Sequence, residues 1–184
     1  MTIRTVFTLE HPALRQKARK VKQFGPKLEQ LVDDMLETMK AEPGIGLAAN
    51  QIGVPQRLIV VELPEDEEDP QSGKTFAVAN PKIIKASRDM EEMEEGCLSV
   101  PGLVGDVWRS TEIVVKGQDL KGKTMRVKAR DMLARVFQHE IDHLDAILFI
   151  DRVESPDKIR PIVPREAVET PEGCPESKTE PATI

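Results

Sequence analysis

The segment Gln138–Leu144 reads QHEIDHL and sets two of the chain's three histidines four residues apart, with Glu140 beside the first. On a helix residues i and i+4 project from one face, so there the imidazoles of His139 and His143 can point at one ion. In such an H-E-x-x-H arrangement the carboxylate, here Glu140, reaches the water that the ion binds. A catalytic metal needs three protein ligands and one open position, so a third ligand must come from elsewhere. His11, the remaining histidine, lies far upstream beside Pro12 and reads as an ordinary N-terminal polar residue. Cys97 and the downstream carboxylates Glu154, Glu166 and Glu169 are the candidates.

The surrounding pattern sets the fold class. Between Lys27 and Lys40, Leu28, Leu31, Val32, Met35, Leu36 and Met39 recur at helical spacing, and the run stops at Pro43-Gly44. Short β-type runs follow at Arg57–Glu62, Thr75–Ala79, Lys82–Ala86, Leu103–Trp108, Glu112–Lys116 and Thr124–Ala129, separated by Gly, Pro and Asp turn signals. A second helical pattern begins near Arg130 and turns Met132, Leu133, Val136, Phe137 and Leu144 inward, with the two histidines on a neighbouring stripe. Strand and helix do not alternate, so the expectation is α+β rather than βαβ repeats.

A length of 184 residues suits one domain, expected over residues 1–162. The run ELPEDEEDPQSG at 62–73 reads as a solvated acidic loop. From Val163 the chain is rich in Pro, Glu, Thr and Ser and cannot bury enough apolar area to offset its ordering entropy, so 163–184 is expected to be a disordered tail that includes Cys174. A net charge of -6 and the lack of a basic stripe interleaved with aromatics give no footprint for a nucleic-acid groove. The N-terminal segment has no long apolar core and no run reaches the length of a membrane span, so a cytoplasmic protein with no membrane contact is expected. Two cysteines do not make a disulfide framework.

Two further stretches stand out. In Glu95-Gly96-Cys97-Leu98-Ser99-Val100-Pro101 a glycine lets the backbone pass close to something and a proline stiffens the exit. In Gly44-Ile45-Gly46-Leu47-Ala48-Ala49-Asn50-Gln51 small residues permit close backbone approach, but there is no Gly-Lys-Ser/Thr ending to make a phosphate loop. Each alone is weak evidence for a site.

Together, GIGLAANQ, EGCLS and QHEIDHL, in this order, resemble the peptide deformylase family, which is recognised by G-x-G-x-A-A-x-Q, E-G-C-L-S and Q-H-E-x-D-H-L. The resemblance extends to His11-Pro12-Ala13-Leu14-Arg15 and covers about Thr5 to Asp151. It implies an α+β fold in which antiparallel or mixed strands wrap around a central metal-binding helix. It implies that Cys97, His139 and His143 hold a divalent metal, that Glu140 is the general acid/base, and that the Gln51 amide and the Leu98 backbone N–H stabilise the oxyanion. The implied reaction removes the N-formyl group from the initiating methionine of new polypeptides and releases formate. Ferrous iron is the implied ion in the cell, with zinc, nickel or cobalt as occupants of purified material. The implied partners are N-formylmethionyl nascent peptides and, transiently, the ribosome, met by a monomer. A peptide could lie extended against the Gly44-Ile45-Gly46 backbone, with Ile45, Met132 and Val136 as apolar walls for the methionine side chain.

Glu95 and Arg109 are expected to pair, because a lone carboxylate beside an apolar site is costly. Asp142 either orients a polar group or faces solvent. Two positions depart from the family pattern: Asn50, where proline is common, is expected to loosen the turn before Gln51, and Ala146 replaces a usual glycine that would suit a left-handed cap. The rival readings are a zinc peptidase whose third ligand is a downstream carboxylate, leaving Cys97 idle, and a non-catalytic module that binds nascent chains.

Overall fold

A computed structural model describes residues 2–162, so the expected disorder of 163–184, Cys174 included, lies outside the described residues. Helix α1 spans Pro26–Ala41. It starts where Gly25, at φ 125°, turns the chain into Pro26, whose missing N–H costs nothing at the first helical position. Leu28, Val32, Met35 and Met39 form its buried stripe. Strands β1 (Gly46–Ala48) and β2 (Leu58–Glu62) follow, then β3 (Thr75–Ala86), β4 (Met90–Gly96), β5 (Leu103–Ser110), β6 (Glu112–Gln118) and β7 (Thr124–Arg130). Helix α2 spans Asp131–Leu144, and strand β8 (Ile159–Pro161) closes the described chain.

The strands form two sheets, ordered β1-β2-β3-β6-β7 and β4-β5-β8, with antiparallel pairing between all these neighbours. Helix α2 packs on strands of both sheets and is buried along most of its length. Ile59, Val61, Ile113 and Val115 meet Val136 and Phe137 in one apolar cluster, while Leu58 and Val60, pointing the other way, meet α1 in another. The α+β class and the central histidine-bearing helix agree with the sequence.

Two strand runs expected on either side of Asn80-Pro81 are one twelve-residue strand. The turn signal there is a bulge: Asn80 sits at φ 53°, and the register with β6 shifts between Ala79 and Lys82. Its side chain holds the irregularity, accepting from the Val21 N–H at 2.8 Å and donating to Val21 O at 3.0 Å and Gln118 Oε1 at 2.7 Å. Strand β4, sequence MEEMEEG, carried no β signal because its outward positions are glutamates. Two of them are matched by cations, Glu92 by Lys158 and Glu94 by Arg160 at 2.8 Å, and Arg160 also pairs with Asp106 of β5 at 2.9 Å. In the 62–73 segment the acidic residues 65–68 are exposed, whereas Glu62 belongs to β2 and pairs with Lys40 at 2.8 Å.

Candidate metal centre

Helix α2 presents His139 and His143 one turn apart, and the segment after β4 brings Cys97 to the same place. The three donor atoms lie within 4.8 Å of one another, the one such cluster of His, Cys and carboxylates among the described residues. Cys97 Sγ is 3.2 Å from His143 Nε2, which is 3.2 Å from His139 Nε2. Ligand nitrogens at about 2.0 Å from a tetrahedral ion stand roughly 3.3 Å apart, so this spacing fits one cation. Glu154, the carboxylate a peptidase-like site would have needed, is exposed and 3.3 Å from Lys158 Nζ, while Glu166 and Glu169 lie outside the described residues.

The protonation states suit a metal. Burial above all, then the neighbouring His139, holds the His143 imidazole well below its usual pKa, so it stays neutral and able to ligate. Burial pushes the Cys97 thiol up to about 12, against the Ser99 N–H that donates to Sγ at 3.4 Å. A thiolate in such a place needs a cation beside it. Glu140 is fully buried, and neither of its carboxylate oxygens has a partner among the described residues. Burial first, and the charge of Glu95 second, raise its pKa well above the ordinary carboxylate value. A buried orphan carboxylate against three convergent donors fits a site that takes up an ion and a polar reactant.

Around the donors runs a buried ionic network. Glu95 accepts from Arg109 at 2.9 and 3.0 Å, which bears out the expected pair, and from Arg135 at 2.8 Å. Its Oε2 is 3.0 Å from His139 Nδ1, a contact in which Nδ1–H donates and Nε2 is left facing the other two donors. Burial works against ionised Glu95, but His139 and Arg109 outweigh it and hold its carboxyl well below the usual range. Asp142 is the polar orienter of the two alternatives, accepting from Arg109 at 2.5 Å and from Arg152 at 2.6 and 3.0 Å.

Gln51 accepts from the Ala48 N–H at 2.7 Å through Oε1, which turns its amide nitrogen to within 3.2 Å of Ser99 Oγ and 3.6 Å of Cys97 Sγ. Asn50 does not loosen the preceding turn: its side chain donates to the His143 carbonyl at 2.6 Å and ties that turn to α2. Leu98 borders Gly44, whose Cβ, if present, would stand 2.9 Å from the Leu98 side chain. Ile45 and Val136 share one buried cluster, and Met132 packs against it half-buried. His11 caps a 3-10 turn at Pro12–Arg15 and stacks on Phe7, and it is not among the convergent donors. Sequence reasoning missed Ser99 and Arg135. Arg135 stands one turn before His139 among apolar neighbours, and a cation on an inward stripe is the signal that pointed to a buried partner.

Comparison with known proteins agrees with this geometry. The family model described as polypeptide deformylase matches residues 3–159. A peptide deformylase of Thermomicrobium roseum is 46% identical over 95% of this chain and 98% of the relative, and one of Symbiobacterium thermophilum is 45% identical over 91% and 75%. Among solved structures, the peptide deformylase of Ehrlichia chaffeensis superposes with a TM-score of 0.79 at 37% identity, covering 85% of this chain and 90% of that one. That of Thermotoga maritima gives 0.77 at 35% identity, covering 84% and 100%. The donor cluster, the central helix and these likenesses place the chain in the peptide deformylase family.

Proposed function

We propose that the chain removes the N-formyl group from the initiating methionine of nascent polypeptides, and that the site residues divide the work as follows. Cys97, His139 and His143 hold a divalent ion, and the observation that carries the reading is the convergence of their donor atoms beside the unpartnered Glu140. The nitrogen and sulfur set suits ferrous iron, zinc, nickel or cobalt, and the family resemblance favours ferrous iron in the cell. Such an ion supplies Lewis acidity, which brings the pKa of water toward about 7. Glu140 takes the proton of the attacking water and passes it to the nitrogen of the leaving amine as the C–N bond breaks and formate departs. The Gln51 amide, aimed by the Ala48 N–H, and the Leu98 backbone N–H donate to the oxygen on which charge grows.

Strand β1 is an edge of its sheet, so the Gly44-Ile45-Gly46 backbone can take a substrate peptide as an added strand, a binding mode indifferent to side-chain sequence. Ile45, Met132 and Val136 line the place for the methionine side chain. All of these residues belong to 1–162 of a single chain, so a monomer with one catalytic domain carries the whole site. Work on nascent chains sets it in a bacterial-type cytoplasm, with transient ribosome contact; among the described residues no helix is long and apolar enough to cross a membrane.

Two variants test the division of roles. Cys97→Ala is expected to lose bound metal, measured by elemental analysis, and activity with it. Glu140→Gln is expected to keep its metal while kcat falls by about 10²- to 10⁴-fold. Normal turnover in Glu140→Gln, or full metal loading in Cys97→Ala, would overturn the assignment.

A further inference from the structure

Helix α1 covers one face of the five-stranded sheet over β1 and β2. On β6 and β7 the residues of that same face are Glu112, Val114, Lys116 and Gln118, and Thr124, Arg126, Lys128 and Arg130. Their intervening neighbours, such as Ile113, Val115, Val127 and Ala129, point to the α2 side. Register puts like charges directly opposite one another. Lys82 of β3 faces Lys116 of β6, which faces Arg126 of β7, and the next row runs Lys85, Val114, Lys128. Side chains directly opposite in a sheet are close enough that like charges destabilise the pairing.

All five of these cations are exposed and, among the described residues, none of them is in an ion pair; the neighbouring Glu112 and Arg130 pair with each other at 3.3 Å. Two open depressions of about 420 and 610 Å³ flank the rows; cations outnumber acids in both, the first being lined by Lys85, Arg88, Lys128 and Arg130 with Asp89 and Glu112, the second by Lys20, Arg57, Lys82 and Lys116 with Asp145. This surface belongs to a chain whose net charge is -6. Lysine on an edge strand guards against edge pairing, which accounts for the cations of β7. It does not account for Lys82 and Lys116, which stand on inner strands.

We propose that this face is a docking surface for the phosphate backbone of RNA, held without reading base sequence. An acidic protein is the weaker fit. Protein interfaces are depleted in lysine and centred on aromatic anchors, and these rows carry lysine and no aromatic residue. Phosphate contacts, by contrast, are made by Lys and Arg and ask only for repeated positive charge, here spaced about 4.8 Å across strands and roughly 6.8 Å along them. The choice of RNA rests on the proposed work on nascent chains, where RNA is the polyanion at hand.

The test uses the metal-loaded full chain, a labelled RNA hairpin and polyglutamate as probes, and formate release on the same samples. The hairpin is expected to bind with an affinity that falls steeply with salt, log K against log salt having a slope of about -4 for five phosphate contacts. Lys116→Glu, which sets a carboxylate between Lys82 and Arg126, is expected to weaken RNA binding at least tenfold, leave formate release unchanged and raise Tm by roughly 2 °C. The uncharged double variant Lys82→Ala/Arg126→Ala is expected to weaken binding in the same direction. No RNA binding at low salt, RNA binding indifferent to Lys116→Glu, or a preference for polyglutamate over RNA would overturn the proposal, and intact formate release would show that the catalytic reading stands apart from that failure.

Discussion

Gly46 has no side chain, and Glu140 fills the space this leaves: a Cβ there would stand 2.5 Å from Glu140 Oε1 and 2.9 Å from Val136 Cγ1. The second glycine of GIGLAANQ is thus a steric allowance for the Glu140 carboxylate, the proposed general base. Gly46→Ala is expected to push the Glu140 carboxylate aside and lower kcat by about 10²-fold while metal content holds, read by steady-state kinetics beside elemental analysis. Unchanged kcat would show that Glu140 has room to spare. Glu95 acts through its charge. Its folded pKa lies below the ordinary 4.5, so the unfolded chain binds its proton first as pH falls. Its stabilising contribution is therefore complete above the ordinary value and is lost as pH drops from there toward the depressed folded pKa. Thermal melts from pH 7 to pH 2 are expected to show Glu95→Gln less stable at neutral pH, with a shallower acid decline than the parent. An identical acid slope in the two proteins would contradict this.

The end of α2 is a Schellman cap with the wrong residue for its geometry. The Ile147 N–H reaches Asp142 O at 2.9 Å and the Ala146 N–H reaches His143 O at 3.0 Å, with Ala146 at φ 66°. Alanine in this left-handed conformation costs on the order of 1 kcal/mol relative to glycine. Ala146→Gly is expected to raise Tm by about 2–4 °C in calorimetry with activity retained; a lower Tm would show that the cap is not strained. This strain was foreseeable because the departure falls at a position defined by backbone conformation. Both helices were legible to within a residue or two, since their apolar stripes repeat over several turns. The three-residue strands β1 and β8 were not, being too short to display a period, and β4 was hidden by glutamates whose partners are distant in sequence.

At the scale of the molecule, the site gathers Gln51, Cys97 and the helix from His139 to His143, positions that only the two sheets folded about α2 bring together. The convergent donors and the carboxylate proposed to act beside them were readable because their chemistry restricts residue type and local spacing. The network that holds them was readable only in part. Glu95 and Arg109 could be paired on the cost of a buried charge, whereas Arg135, Ser99 and the tie from Asn50 to His143 depend on three-dimensional proximity. The cationic rows on the sheet were likewise invisible along the chain, since the lysines and arginines are spread over three strands and opposed only by register. The central claim is hydrolysis of a formyl amide by an ion held by Cys97, His139 and His143, and formate release tests it most directly. Protein reconstituted anaerobically with ferrous iron should release formate from a formyl-methionyl peptide, leave the acetylated peptide intact and fall silent on Cys97→Ala substitution; equal cleavage of both peptides, or full activity without Cys97, would contradict it.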